Sequence, residues 1–186
     1  MLSFWKRVIF LKNGFTLVEL LVVTSIILII SVAIFPGYGN IRGQLLLDRS
    51  AHKLSQDIRK AGEMAMSAKL SGAEVPNGYG IYIVENQTSY LLYSDLPPVD
   101  GNERYNSDQD GIIETIQLET GVKIESVTPS PSVSINYKPP SPRVKISDAN
   151  GIEPVDKTAT IILSLISNPS RTKTVKVNAA GLVDIY

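Results

Sequence analysis

The chain has no cysteine and only one histidine among its 186 residues. Disulfides and thiolate metal sites are therefore excluded, and zinc sites and histidine- or cysteine-based catalytic triads are nearly excluded. His52 lies beside Lys53 on a predicted helix, which is typical of a surface residue. Gly78-Tyr79-Gly80 is an isolated Gly-x-Gly before a predicted strand, so no phosphate-binding glycine motif is indicated. The residues predict no enzyme active site.

The chain also lacks an excess of either charge, because 18 basic residues balance 18 acidic ones. The distribution is uneven. Lys6, Arg7 and Lys12 fall within the first 14 residues with no acid among them, and residues 15–186 hold 15 basic and 18 acidic groups. That net negative remainder argues against electrostatically driven binding of nucleic acid, which needs clustered Lys and Arg. We therefore do not expect nucleic acid to be a partner.

One long apolar run is present near the N-terminus. Residues 15–35 read FTLVELLVVTSIILIISVAIF, and their only charged residue is Glu19. At about 1.5 Å per residue this run makes roughly 32 Å of helix, enough to cross a bilayer. The three upstream cations predict a single span with a cytoplasmic N-terminus.

A signal-peptidase site is missing after this run, since Pro36-Gly37 follows where a small-residue site such as A-x-A would stand. An uncleaved membrane anchor is one interpretation. It leaves Glu19 unexplained, because an acid near the centre of a membrane helix costs about 2.5–3.5 kcal/mol, and less near an end.

The motif Gly14-Phe15-Thr16-Leu17-Val18-Glu19, behind a short basic leader, resembles the cleavage signature of type IV prepilins and type II secretion pseudopilins. The resemblance implies that a membrane prepilin peptidase cuts after Gly14 and that the new amine of Phe15 is N-methylated. It also implies that Glu19 of one subunit neutralises the Phe15 amine of a neighbour in a filament. Pro36 falls where many members have a helix-kinking proline. A competing interpretation makes Glu19 only a dipole-compensating acid in the first helical turn.

The sequence divides into a leader at 1–14, a membrane or filament-core helix half at 15–35, an amphipathic helix half at 36–72 and a β-rich head at 73–186. Pro36 and the glycines after it predict a bend or a locally melted stretch before the helix resumes by Ile41. The helix is expected to end near Lys69 to Gly72. Its apolar stripe has helical spacing and comprises Leu47, Ala51, Leu54, Ile58, Ala61, Ala65 and Ala68.

Short alternating runs bounded by turn residues predict strands beyond Gly78. The predicted strands are Tyr79–Val84, Thr88–Tyr93, Ile112–Leu118, Val122–Thr128, Ser132–Tyr137, Arg143–Ile146, Ala159–Ser167, Thr172–Val177 and Leu182–Tyr186. Hairpins are expected at Glu85-Asn86-Gln87 and Glu119-Thr120-Gly121. Five prolines between Pro129 and Pro142 predict only an edge strand or an extended connection there. The expected fold is α+β and resembles minor pseudopilins of the GspH/FimT kind, with two small antiparallel sheets on a helix.

One loop resembles the front of an EF-hand calcium loop. Oxygen ligands would come from Asn106, Asp108, Asp110, the Ile112 carbonyl and Glu114, with Gly111 at the sharp turn. Two positions depart from the pattern, because Asn106 replaces an acid and Gln117 stands where a bidentate carboxylate is needed. The alternative is a solvated turn between strands. A bound Ca²⁺ would be structural and would brace the loop from Asp95 to Gly111.

The expected function is that of a structural subunit, a minor pilin or pseudopilin of a type IV pilus or type II secretion filament. Expected partners are other such subunits, the prepilin peptidase, an inner-membrane assembly platform and, before assembly, membrane lipid. The expected location is the cytoplasmic membrane first and an extracytoplasmic filament afterwards. Alternatives are a major pilin, a β-domain that stays anchored and never polymerises, and a DNA-binding minor pilin. The last would require convergence of Arg143, Lys145, Arg171, Lys173 and Lys176.

Overall fold

The computed structural model describes residues 14–67, 76–96, 103–139 and 143–186, and at 35–40 it describes the backbone alone. Within these ranges one α-helix, α1 (Leu17–Met66), precedes nine β-strands. The strands are β1 (Gly78–Val84), β2 (Ser89–Asp95), β3 (Gly111–Gln117), β4 (Val122–Thr128), β5 (Ser132–Tyr137), β6 (Val144–Asp148), β7 (Thr158–Leu165), β8 (Asn168–Asn178) and β9 (Val183–Ile185). The α+β class is confirmed, and every predicted strand has a counterpart.

The chain forms two compact units, Met1–Ile41 and Arg42–Tyr186. We call them the N-terminal unit and the β-rich unit and describe each separately. The predicted segment boundaries at residues 14, 35 and 72 stay predictions. Of the two predicted alternatives, the melted stretch is wrong, since the backbone is helical from Leu17 through Pro36 to Met66, and the bend stays a prediction. A proline removes only one bond of the helical ladder, which the flanking turns can sustain. The predicted helix end near 69–72 lies outside the described residues.

In the β-rich unit, one face of α1 is buried. The predicted stripe is confirmed at Leu47, Ala51, Leu54, Ile58, Ala61 and Ala65, each at most 2% exposed. Ala68 lies outside the described residues. The alanines add little bulk, so the strands can pack closely on the helix. These residues form one hydrophobic cluster with inward side chains of both sheets, which include Ile81, Ile135 and Ile161.

The strands form two antiparallel sheets, one ordered β3-β2-β1-β5-β6 and the other β4-β7-β8-β9. The prediction that the proline-rich stretch holds only an edge strand or a connection is wrong, because β5 pairs with both β1 and β6. Pro129 and Pro131 precede β5 and Pro139 follows it, so none of them removes a ladder N–H.

The predicted hairpin at Glu85-Asn86-Gln87 is confirmed, since β1 and β2 pair in one sheet. The second predicted hairpin is wrong, because β3 and β4 lie in different sheets. The turn itself exists, with Gly121 at φ +91°. The helix holds it there, since the Glu119 N–H donates to Ser50 Oγ at 3.2 Å. The chain therefore crosses between sheets at this turn.

Residues 103–110 cover the outer face of the five-stranded sheet. The Tyr105 ring lies 4.7 Å from the Tyr82 ring and 5.3 Å from the Tyr93 ring, centroid to centroid. The Tyr105 N–H donates to Ser134 Oγ at 3.0 Å. This face is thus an aromatic and polar layer, in contrast to the aliphatic inner face.

Candidate functional site

The start of α1 is capped by its own sequence. The Glu19 N–H donates to Thr16 Oγ1 at 3.2 Å, and the Leu20 N–H donates to the Thr16 carbonyl at 3.2 Å. Thr16 is therefore the N-cap, and Glu19 lies in the first turn. A carboxylate there interacts favourably with the positive end of the helix dipole. This geometry fits the dipole interpretation of Glu19 and is compatible with a second role in assembly.

The residues before the cap are open to solvent. The Phe15 side chain is 81% exposed. No described atom lies within 4 Å of the position that a Cβ on Gly14 would take. The Gly14–Phe15 peptide bond thus lies directly before a capped helix, and no described side chain crowds Gly14.

The helix that follows has the character of a membrane span. Leu17–Ile34 has a mean hydropathy of 2.8, and none of it is buried inside the protein. Its serine hydroxyls form hydrogen bonds within the helix. Ser25 Oγ donates to the Leu21 carbonyl at 2.8 Å, and Ser31 Oγ donates to the Ile27 carbonyl at 2.7 Å. Such intrahelical bonds let polar side chains enter lipid without an unpaired donor. By length and composition, this helix can cross a bilayer.

Residues 10–35 match the family model of the prokaryotic N-terminal methylation motif. The chain carries a prepilin-type signal. Neither the search of curated proteins nor that of solved structures found a significant match. The prepilin-type signal supports a type IV pilin or pseudopilin that a prepilin peptidase processes, and thus a structural subunit that assembles with other pilin subunits. Together with the apolar helix, it fits membrane anchoring before assembly.

The individual roles within the prepilin-type signal stay predictions. Cleavage after Gly14, N-methylation of Phe15 and neutralisation of a neighbouring amine by Glu19 concern states that a single subunit does not contain. Pro36 lies within the continuous helix. The likeness to minor pseudopilins of the GspH/FimT kind is not confirmed.

The predicted calcium ligands have other bonds in this structure. Asp110 closes its own loop, because its Oδ2 accepts from the Asn106 N–H at 2.6 Å and its Oδ1 from the Leu96 N–H at 3.2 Å. Asp108 Oδ1 accepts from Ser107 Oγ at 3.0 Å. Glu114 forms an ion pair with Lys60 of α1 at 3.1 Å.

Two of the predicted calcium ligands lie outside the loop. Ile112 and Glu114 belong to an extended strand and do not curl back toward Asp110. Among the described residues no group of three or more Asp, Glu, His or Cys side chains is placed to hold a metal. The calcium site stays a prediction of the sequence alone, which a Ca²⁺ titration followed by tyrosine fluorescence would test.

The five cations considered for DNA binding lie in two separate clefts or on a strand between them. Arg143 and Lys145 line a cavity beside the β8–β9 turn at Ala179. Arg171 and Lys173 line a cleft beside Leu47 of α1. Arg171 and Ala179 stand eight strand positions apart, or about 27 Å at 3.4 Å per residue. Lys176 pairs across the ladder with Asp184. The five do not make one basic surface.

Two features escaped the sequence reasoning. Thr16 and Glu19 have the S/T-x-x-E spacing of a capping box, a local signal that could have identified the cap. The buried acid Asp95 had no such signal. It is 2% exposed, and its Oδ2 accepts from the Glu103 N–H at 3.2 Å and lies 3.5 Å from Asn136 Nδ2. Glu103 is eight positions from Asp95 in the sequence and Asn136 is 41, so no contiguous motif contains all three residues.

Proposed function

We propose that this protein is a structural filament subunit, a minor pilin or pseudopilin of a type IV pilus or type II secretion system. The prepilin-type signal on a capped apolar helix carries the proposal. The helix-plus-two-sheets architecture of the β-rich unit supports a minor subunit, since it matches the arrangement expected from the sequence.

The exposed surface of the N-terminal unit supports polymerisation through the helix. Between Leu17 and Ile34, large apolar side chains are 47–80% exposed. Each square ångström removed from water is worth about 25 cal/mol, so these side chains require an apolar environment. Lipid supplies it before assembly, and the helices of neighbouring subunits supply it in the filament.

Glu19 gives that apolar bundle its register in our proposal. A carboxylate buried without a partner costs several kcal/mol, so a register that leaves it alone is penalised. The nearest available cation after cleavage is the new amine of Phe15 on an adjacent subunit. The acid and the amine would then lie together in the assembled filament, which is exported from the cytoplasmic membrane by an assembly platform.

Mass spectrometry of the N-terminus tests the processing step. The full chain is expressed in a bacterial membrane with and without a prepilin peptidase. We expect a species that begins at N-methylated Phe15 only when the peptidase is present, and Gly14→Val abolishes it. An unprocessed N-terminus in the presence of an active peptidase, with a control prepilin cleaved in the same cells, contradicts the proposal.

Incorporation of Glu19→Ala into filaments tests the assembly step. We expect this variant to be cleaved normally and to be lost from sheared filaments, because the Phe15 amine has no partner. Glu63→Ala is the matched control, since Glu63 is exposed on the same helix. Equal incorporation of Glu19→Ala and the control overturns the register role and leaves the processing result standing.

The DNA-uptake alternative receives less support. Its candidate cations are divided between two clefts, and two of them already have acidic partners at close range, Lys173 with Asp48 at 3.0 Å and Lys145 with Glu103 at 3.2 Å. We expect no salt-dependent DNA mobility shift with the full-length protein. A shift at low salt would restore this alternative.

A further inference from the structure

A cavity of about 350 Å³ opens beside β6, at the edge of the five-stranded sheet. Among the described residues that line it, cations outnumber acids, and the charged residues are Glu103, Lys138, Arg143, Lys145, Glu153 and Lys157. Pro139 adds an apolar surface, and Val144 and Ile146 border the cavity with side chains that are buried in the core, 4% and 3% exposed. A volume of this size is at the lower end of the range for small-molecule sites, about 300–1,000 Å³. The prepilin-type signal makes no use of this cavity.

Two lysines of the cavity converge on a single carboxylate. Lys138 Nζ lies 3.1 Å from Glu103 Oε1, and Lys145 Nζ lies 3.2 Å from Glu103 Oε2. Although burial opposes ionisation, hydrogen bonds from Lys138 and Lys145 lower the pKa of Glu103. The two ammonium groups are thus already positioned to hold one oxyanion between them.

Glu103 reaches this position with an unusual backbone. Its φ is +56°, in the left-handed region that residues with a Cβ rarely adopt. The segment around it is fastened nearby, since Arg104 donates to the Ala149 carbonyl at 2.7 Å and Glu103 N–H donates to Asp95. This backbone conformation costs free energy, so it persists only because the surrounding contacts hold Glu103 in place.

The floor of the cavity offers a further donor. On the outer edge of β6, the Val144 N–H donates to the Ala179 carbonyl and the Asp148 N–H to the Ile152 carbonyl, both at 3.1 Å. Ile146 lies between them and, by the alternation of an antiparallel strand, presents its N–H to the same edge. No other described strand pairs with β6 there. The site therefore combines two ammonium groups, an edge amide and the apolar ring of Pro139.

We propose that this cavity binds a sugar-sized ligand carrying a carboxylate or phosphate, whose oxyanion replaces the Glu103 carboxylate between Lys138 and Lys145. The ring of the ligand would lie on Pro139. Glu103 is then a built-in competitor that occupies the oxyanion position when the ligand is absent. An acidic sugar residue of a cell-surface or extracellular glycan has this chemistry.

Calorimetric titration of the full-length protein in uncharged detergent tests the site. The probes are glucuronate, glucose 6-phosphate and glucose, which share a ring and differ in the anion. We expect saturable binding of at least one acidic sugar and none of glucose. The tighter of the two acidic probes identifies the carboxylate or the phosphate as the preferred source. Equal responses to all three, or no binding of either acidic sugar at millimolar concentration, overturn the proposal.

Variants separate this site from general charge attraction. Glu103→Gln should tighten binding of the preferred acidic sugar about three- to tenfold, because two partly exposed ion pairs no longer compete. Lys145→Ala should abolish it. Glu153→Gln is the matched control, since it removes an acid from the same cavity without releasing the two lysines, and Lys173→Ala in the other cleft should change nothing. Unaltered or weaker binding by Glu103→Gln, in a protein with unchanged melting temperature, contradicts the competitor role.

Discussion

The two units of this protein use the same helix in opposite ways. Before Ile41 its leucines, isoleucines and valines cover the whole circumference and stand 47% or more exposed at every large apolar position from Leu17 to Ile34. After Arg42 the apolar stripe from Leu47 to Ala65 is at most 2% exposed, and only Leu45 and Met66 among the large apolar residues described on this part of the helix are exposed, at 47% and 45%. A uniformly apolar helix needs surroundings that its own chain does not supply, whereas a striped helix finds them in its own sheets. Periodicity thus separates the part that folds from the part that assembles.

The two units also differ in how far apart in sequence their side-chain hydrogen-bond partners lie. Hydroxyls in the N-terminal unit bond to carbonyls three or four residues away, as Ser25 does with Leu21. In the β-rich unit, Ser50 and Ser134 accept from Glu119 and Tyr105, which are far away in sequence. Local bonds survive transfer between lipid and a filament, while long-range bonds specify one tertiary fold.

The largest expected effect comes from a substitution that leaves a void in the core of the β-rich unit. Ile135 is fully buried in the centre of β5, so Ile135→Ala should lower the free energy of unfolding by about 2–5 kcal/mol. Leu28→Ala makes a similar change in the N-terminal unit, where the side chain is 66% exposed, and should leave the unfolding of the β-rich unit unaltered. Denaturation in detergent, followed by tyrosine fluorescence, measures both.

Similar losses for Ile135→Ala and Leu28→Ala would contradict the contrast. They would mean that the apolar surface of the N-terminal unit already contributes to the stability of the isolated subunit. A conservative Ile135→Val variant, with a smaller expected loss, guards against a general defect at this position.

The second prediction compares a glycine-to-alanine substitution in the β-rich unit, Gly80→Ala, with one in the N-terminal unit, Gly14→Ala. A Cβ on Gly80 would come within 2.7 Å of the Ile135 carbonyl oxygen and of the Tyr93 ring. Because a backbone atom cannot move aside easily, Gly80→Ala should cost about 1–3 kcal/mol. Gly14→Ala meets no described atom within 4 Å and should leave unfolding unchanged. A neutral Gly80→Ala would show that the sheet can shift under the tyrosine layer.

Sequence reasoning succeeded where the determining contacts are local. The nine strands follow from alternation and turn residues, and the helix stripe from spacing of three and four. The prepilin-type signal is a contiguous motif, so it too could be recognised residue by residue. The Thr16 cap was missed, although its signal is equally local, since its capping partner is only three positions away.

Sequence reasoning failed where pairing is non-local. Nothing in Ser132–Tyr137 indicates that β1 and β6 flank it, and nothing in Glu119-Thr120-Gly121 indicates that Ser50 holds the turn while the chain changes sheets. Beside β6, Glu103 forms ion pairs with Lys138 and Lys145, although three strands (β3, β4 and β5) separate it from these lysines in the sequence.

The third prediction concerns pH and only the β-rich unit. Burial, and next the negative charge of Asp110, raise the pKa of Asp95 from the ordinary value of 3.8 to about 6. The Glu103 N–H and Lys138 oppose this shift, and the Glu103 carboxylate adds to it. Because the folded protein binds more protons between these values, stability should fall by about 1–2 kcal/mol as the pH rises from 4 to 6.

Asp95→Asn should remove that dependence and stabilise the protein at neutral pH, since the amide oxygen can still accept from the Glu103 N–H. Asp184→Asn, on exposed β9, is the control and should keep the slope. Melting temperatures at pH 4, 5, 6 and 7 give the comparison. A slope that persists in Asp95→Asn would assign the titration to another group, such as Asp110, whose pKa burial also raises.

The smallest expected change in stability concerns the N-terminal unit, at the start of α1. Thr16→Ala removes the acceptor of the Glu19 N–H and should cost about 1 kcal/mol of local helix stability. Exchange of the first-turn amides should accelerate, while the β-rich amides keep their protection. Thr16→Ser should restore the slow exchange because it retains the hydroxyl. If Thr16→Ala instead destabilised the β-rich unit, the two units would be folding as one, and the division between a folding part and an assembling part would be wrong.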